Sequence, residues 1–194
     1  AEVAEIWDDM YRDSILQGRR GSVLRAISAI DIGLWDLTAK EKGVPLYSLL
    51  GGQERKTVPA YASGGYYFAG KTAEDLADEV KGYVNDGYPA VKIKIGRLST
   101  EEDLARIKAC RMAIGPNIPL FLDANNAWVD APSAIKAIRR FQEYEPGWIE
   151  EPLMPDDING HAAIAAEVAT PVATGEIEAT RWGFQQLINR QAAS

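Results

Sequence analysis

The chain has 194 residues, 46% of them hydrophobic and 25% charged, with a formal net charge of -7. This is the balance of a globular chain with apolar mass for a sizeable core, and without a Lys/Arg-rich run it offers no footprint for nucleic acid. No apolar run approaches the ~18 residues of a membrane span, and the single cysteine, Cys110, excludes an internal disulfide. The opening Ala-Glu-Val-Ala-Glu has neither the basic region nor the apolar core of a signal peptide, so a cytoplasmic protein is expected. It also lacks an initiator methionine, as a processed chain or an excerpt from a longer one would.

Residues 1–20 read as an amphipathic helix, with Ile6, Trp7, Met10 and Tyr11 at turn spacing. A stronger helix spans 24–42, where Leu24, Ile27, Ile30, Leu34 and Leu37 form a stripe closed by Gly43 and Pro45. Asp31 and Asp36 read as solvated or ion-paired carboxylates on it. A short helix over 46–50 ends in Gly51-Gly52, and the polar 53–56 stretch reads as a linker. The expected division is therefore a helical part, 1–56, and a second part, 57–194.

From Val58 the pattern alternates strand and helix. Strands are predicted at 58–63, 91–95, 119–125, 148–152 and 172–176. Helices follow each: one headed by Thr72 and Asp75 and ending at Gly87, one opened by Thr100 with Asp103 and ending near Gly115, and one started by Asp130 and Pro132. The last two are a short helix over 162–169 and one capped by Thr180 that runs to about 191. Cys110 falls with Ile107 and Ile114 on one helical face, where a small buried hydrophobe is expected. Five successive strand–helix units argue for a parallel sheet with crossover helices, an α/β fold of the (β/α)8 barrel type. A closed barrel takes about 250 residues, so only about five of eight units are present. No Gly-x-Gly-x-x-Gly follows the first strand, which leaves no dinucleotide fingerprint.

Polar residues gather at the carboxyl ends of these strands: Lys92-Ile-Lys94, Asp123-Ala-Asn125, Glu150-Glu151-Pro152 and Gly175-Glu176. In a strand, side chains alternate faces, so Lys92 and Lys94 point one way while Val91, Ile93 and Ile95 point the other. The same alternation groups Phe121 with Asp123 and Asn125, Trp148 with Glu150, and Thr174 with Glu176. Asp123, Glu150 and Glu176 are thus expected at one rim, where three carboxylates repel unless a cation sits among them. Oxygen donors without a Cys or His set favour a hard divalent ion, Mg2+ or Mn2+. Such an ion stabilises the charge that develops when a proton leaves the carbon next to a carboxylate, and a strand lysine can take that proton. Lys94, nearer the strand end, is the better base, and Lys92, lying deeper, helps hold the substrate carboxylate. Glu151 alternates to the other face, where support or helix capping suits it better than ligation. Asn126 and Trp128 read as loop structure, with Trp128 a potential wall of the site. His161 reads as surface or as helix start.

The order Lys-x-Lys, Asp-x-Asn, Glu-Glu-Pro, Gly-Glu resembles the enolase superfamily, in its mandelate racemase and muconate lactonizing enzyme branch. The Ala29–Asp36 helix segment and the stretch from Gly43-Val44-Pro45 to Gly51-Gly52 resemble the segment that leads into that family's barrel, and Gly175–Phe184 is most similar to the acid-sugar dehydratases. The resemblance covers most of residues 22–190. It implies Asp123, Glu150 and Glu176 as Mg2+ ligands, Lys94 as base with Lys92 alongside, and Asn125 at a substrate-contacting position. It makes residues 1–56 the closing helices of an N-terminal capping region. It further implies a carbon–oxygen lyase acting on a sugar acid, with a racemase, an epimerase or a muconate-type cycloisomerase as alternatives within the superfamily, and a homo-oligomer in the full-length form. A Schiff-base aldolase could also use a strand lysine, but would not need three metal-type carboxylates. A non-catalytic fragment or relative that keeps the motif is the alternative outside catalysis.

Overall fold

The computed structural model describes residues 2–53 and 57–194. The chain divides into two compact units, Ala1–Val58 and Pro59–Ser194. Most of the expected 53–56 linker lies outside the described residues.

The first unit is helical: α1 (Val3–Asp13), α2 (Ser22–Glu41) and α3 (Leu46–Leu49). Glu2 and Glu5 cap the start of α1 reciprocally. This helix stops well short of residue 20, where the Ser14 hydroxyl donates to the Met10 carbonyl at 2.7 Å and a turn follows. Leu24 and Ile27 of the predicted α2 stripe are buried, while Ile30 and Leu37 are about half exposed. Asp36 pairs with Lys40 one turn on, at 2.5 Å and in solvent, as a surface helix carboxylate should.

The second unit carries five parallel strands: β1 (Ala62–Gly64), β2 (Val91–Lys94), β3 (Leu120–Asp123), β4 (Ile149–Glu150) and β5 (Val172–Ala173). They pair strictly in chain order, each neighbour parallel to the next. Between and after them run α4 (Ala73–Asn85), α5 (Thr100–Ile114), α6 (Ala131–Phe141), α7 (Ile158–Glu167) and α8 (Thr180–Asn189). Sequential order without reversal is the winding of a barrel, not of a doubly wound sheet with a switch point.

One face of the sheet builds the core. Val91, Ile93, Leu120, Leu122 and Ile149 are fully buried with Leu76 and Val80 of α4, Ile107 and Cys110 of α5, Ile138 of α6 and Ile164 of α7. β-Branched residues at alternate positions of β2 suit this half-buried pleat.

The helix starts are locally encoded. Thr72 and Asp75 cap α4 reciprocally, and Asp130 caps α6 with Pro132 in its first turn. Other boundaries differ from expectation. α5 is capped by Ser99 with Glu102, not by Thr100 with Asp103, because the Asp103 carboxylate is buried and engaged elsewhere. α7 begins at Ile158 behind an Asp157 cap, earlier than predicted. Thr180 is the first residue of α8 rather than its cap, with a φ of +66°. Strands 1, 4 and 5 are shorter than predicted, and Val58 lies outside β1 and exposed.

Candidate active site

On the sheet face opposite the core, register brings Lys94 opposite Asp123, Asp123 opposite Glu150, and Glu150 opposite Ala173. Lys94 Nζ lies 2.6 Å from Asp123 Oδ2, and Lys92 Nζ lies 2.6 Å from Glu150 Oε1 and 3.3 Å from Asp123 Oδ2. Asp123 is 1% exposed and Lys92 8% exposed, so these charges need each other: a buried ion without a partner is strongly unfavourable. Burial works against the Asp123 carboxylate anion. The Lys94 and Lys92 ammonium groups and the Asn125 N–H nevertheless hold its pKa below the ordinary carboxylate range. Burial likewise works against Lys92, and Glu150 and Asp123 outweigh it to push the ammonium above its usual value. As expected, Lys92 lies deeper than Lys94.

Beneath this layer is an aromatic one. Phe121 stacks on Trp148 with ring centroids 3.5 Å apart, and Tyr61 meets both edge-on at 5.4 and 5.5 Å. Lys92 Nζ sits 5.6 Å from the Tyr61 ring centre, and Trp148 Nε1 donates to Glu150 Oε2 at 3.0 Å. The aromatics lower the local polarity under the charges and hold Glu150 in place. Above the layer, Lys94 Nζ is 5.6 Å from the Tyr66 ring centre. Asn125, with a φ of +43°, borders a cavity of about 380 Å³ with Lys94.

Glu176 falls outside its predicted strand. β5 ends at Ala173, Gly175 adopts a φ of +122°, and Glu176 falls in an exposed turn. Strand alternation therefore does not place it beside Thr174. Among the described residues no group of three His, Cys, Asp or Glu side chains is gathered to hold a metal ion. Asp123 and Glu150 are together at the rim, and Glu176 lies in the exposed turn that follows β5.

Glu151 has the supporting role foreseen for it. It is 1% exposed, with Oε1 accepting from the Thr174 hydroxyl at 2.9 Å and the Gly175 N–H at 2.8 Å. The Asn126 side-chain amide, oriented to satisfy its neighbours, donates to Glu151 Oε2 at 3.0 Å and to the Leu153 carbonyl at 2.7 Å. Glu151 thus ties the ends of β3, β4 and β5 together. Trp128 packs towards Phe141 and the core rather than walling the site. His161 does lie in the first turn of α7, but it is fully buried, not at the surface. Its Nδ1 is 2.9 Å from the Asp157 carbonyl, and its Nε2 has no partner among the described residues.

A second network joins residues that no strand or helix period relates. The Tyr67 hydroxyl donates to Asp103 Oδ1 at 2.6 Å, the Gly96 N–H donates to Asp103 Oδ2 at 2.6 Å, and the Arg106 guanidinium lies 3.8 Å over the Tyr67 ring. Arg106 also donates to the Gly65 carbonyl at 2.8 Å. Burial first, and then the Asp103 hydrogen bond, push the Tyr67 phenol well above its usual range, so it stays a donor. The network pins the loop after β2 over the site. Gly96 is required there: its φ is +91° and a Cβ would come within 2.3 Å of the Ala127 Cβ. Spacing alone makes Asp103 a cap of the helix opened by Thr100; the available signal for its buried role is an arginine three residues later, Arg106.

Comparison with known proteins bears directly on this arrangement. Residues 75–194 match the enolase C-terminal domain-like family, and residues 1–51 match the mandelate racemase/muconate lactonizing enzyme N-terminal domain. The chain belongs to the enolase superfamily. Within this superfamily's mandelate racemase branch it is 39% identical over 187 residues to the arabinonate dehydratase of Saccharolobus solfataricus, covering 96% of this chain and 50% of that protein. A racemase from Streptomyces coelicolor, solved with bound magnesium, superposes with a TM-score of 0.92 at 35% identity, covering 99% of this chain and 53% of the other. The L-talarate/galactarate dehydratase of Salmonella typhimurium, liganded with Mg and L-lyxarohydroxamate, superposes with a TM-score of 0.89 at 37% identity, covering 99% and 48%. The chain therefore spans about half the length of the relatives it matches. No helix among the described residues is long and apolar enough to cross a membrane.

Proposed function

We propose that the full-length protein is an Mg2+-dependent lyase that removes the proton α to the carboxylate of a sugar acid and eliminates water. The observation that carries this reading is the rim itself: Lys92, Lys94, Asp123 and Glu150 in one hydrogen-bonded layer over an aromatic floor. The donor set fits a hard cation. Asp123 and Glu150 are carboxylates on adjacent strands, and each now has its charge met by a lysine that a dication would replace. Together with Glu176, three residues beyond β5, they would hold Mg2+. When bound, the ion supplies positive charge beside the substrate carboxylate.

The chain's own residues carry the rest. Lys94, released from Asp123 and acting as the neutral amine, takes the α proton on its Nζ and becomes the ammonium, while Lys92 remains in the layer below as a fixed positive charge. The aromatic floor keeps water from the lower side, and Asn125 contacts the substrate at the rim. The β-hydroxyl leaves as water, with its proton supplied from outside this chain's five strands. A homo-oligomer, a cytoplasmic location and a domain boundary near residue 56 belong to the same reading, the first checked by light scattering of the full-length protein.

The deciding experiment incubates the full-length protein with Mg2+ and a panel of sugar acids in D2O. Loss of water with α-deuterium exchange, abolished by Lys94→Ala, is expected. Exchange without loss of water would place the protein among racemases instead. Turnover undiminished in Lys94→Ala would overturn the assigned base.

A further inference from the structure

The cavity beside Lys94 and Asn125 has a neighbour. Tyr66, Tyr67 and Arg97 line the first, and the same three residues line the second, of about 320 Å³, which also meets Lys71 and Arg106. The two cavities therefore share Tyr66, Tyr67 and Arg97 as common lining. Their cations differ sharply. Lys71 is ion-paired with Glu79, and Arg106 is ion-paired with Asp103 at 3.4 Å and bonded to Gly65. The Arg97 guanidinium has no hydrogen bond or ion pair among the described residues, although its backbone N–H is held 3.4 Å from the Tyr67 hydroxyl. The shared lining therefore carries an uncompensated positive charge, on a loop that Gly96 and Asp103 fix in place.

We infer that Arg97 is a specificity-determining residue that recognises a second carboxylate at the far end of the substrate, making the preferred substrate a sugar diacid rather than a mono-acid. The inference rests on the lyase reading, with the reacting carboxylate at Lys94. A polyhydroxy chain running from there lays its C–H faces on Tyr66 and Tyr67, and its far carbon meets a planar fork of donors suited to a carboxylate. A neutral terminal hydroxymethyl offers that fork a weaker acceptor. Arg97 is exposed, so a mono-acid leaves it hydrated rather than stranded. The discrimination is then that of one charge-assisted hydrogen-bond pair, about 10- to 100-fold.

The test compares matched six-carbon diacids and mono-acids, galactarate with galactonate and other stereochemical pairs. It measures kcat/KM with the full-length Mg2+ enzyme, and affinity by calorimetry in the turnover-blocked Lys94→Ala protein. The wild type is expected to favour a diacid by about 10- to 100-fold, and Arg97→Gln to erase that preference by raising the diacid KM while kcat and the mono-acid constants stay within about twofold. Arg97→Lys is expected to restore part of it. Equal or better use of mono-acids by the wild type, or equal losses on both classes in Arg97→Gln, would overturn the inference. In those cases Lys94-dependent turnover of mono-acids leaves the lyase reading standing. Turnover independent of Lys94, or no reaction and no binding with any acid, overturns both.

Discussion

The two faces of one five-stranded sheet are built from alternate residues of the same strands and held by opposite physics. On the helix side, Ile93, Leu122 and Ile149 are removed from water completely, and the interaction is non-directional and roughly additive in area. On the other side, Lys92, Lys94, Asp123 and Glu150 are fixed by short directional contacts. There each charge is met by named partners rather than by area. The helix face determines whether the sheet exists; the charged face determines what its rim can do. Substitutions on the two faces should therefore separate cleanly into stability and chemistry.

The sharpest way to break that comparison is at Lys94. In Lys94→Ala, Asp123 keeps Lys92 at 3.3 Å and the Asn125 N–H as partners. Turnover of the full-length protein is expected to fall by on the order of 10³–10⁴-fold, about 4–5 kcal/mol of barrier, with the thermal midpoint nearly unmoved. A midpoint that falls as far as that of a core variant would show that the charged face is structural after all. Leu122→Ala is the mirror experiment on the next residue's face. It should cost about 3 kcal/mol of stability in chemical denaturation, while kcat of the folded fraction at low temperature is unchanged.

Between these extremes lies Glu151, buried like a core residue yet bonded like a site residue. Glu151→Gln keeps the shape but turns an N–H2 towards donors, at Thr174 and Gly175 or at Asn126. A loss of about 1–3 kcal/mol is expected, and with it a weaker Mg2+ dependence, because the chain leading to Glu176 loses its anchor. An Mg2+ titration of activity in the variant checks this. An unchanged midpoint concentration would disconnect Glu151 from the metal.

These outcomes bear on what the sequence could reveal. Period-two alternation placed Lys92, Lys94, Asp123 and Glu150 on one face because three strands keep regular pleating through those positions. That regularity ends before Glu176, because Gly175, two residues after β5, turns the chain out of the strand. Alternation could not find the Tyr67–Asp103–Arg106 network, whose members are brought together by the crossing of a loop and a helix rather than by any period. His161 was misplaced for a related reason: a polar helix start looks exposed until the helix packs over it, and α7 begins four residues earlier than its apolar pattern suggests. Local chemistry fixed the caps at Thr72 and Asp130 because a cap is a contact between neighbours in sequence. Ser99 was missed in favour of Thr100 because both fit the same spacing and only the burial of Asp103 distinguishes them.

The smallest expected effect lies on the helix side, at Cys110, and it tests how dry that face is. The thiol is fully buried on α5, and burial pushes its pKa from 9.0 up to about 12. The folded protein should therefore resist iodoacetamide at pH 8 and react stoichiometrically once unfolded in guanidinium. The same shift sets a sign. The unfolded chain loses its thiol proton near pH 9 while the folded chain retains it, so the contribution to stability is fully present below pH 9 and is lost as pH rises towards about 12. The slope in that window is at most about 1.4 kcal/mol per pH unit. Cys110→Ala should thus cost more stability at pH 7.5 than at pH 10.5, since the alanine protein lacks this titration. Equal costs at the two pH values, or rapid labelling of the folded protein, would mean that water reaches the helix face, and the contrast between the two sides of the sheet would lose its physical basis.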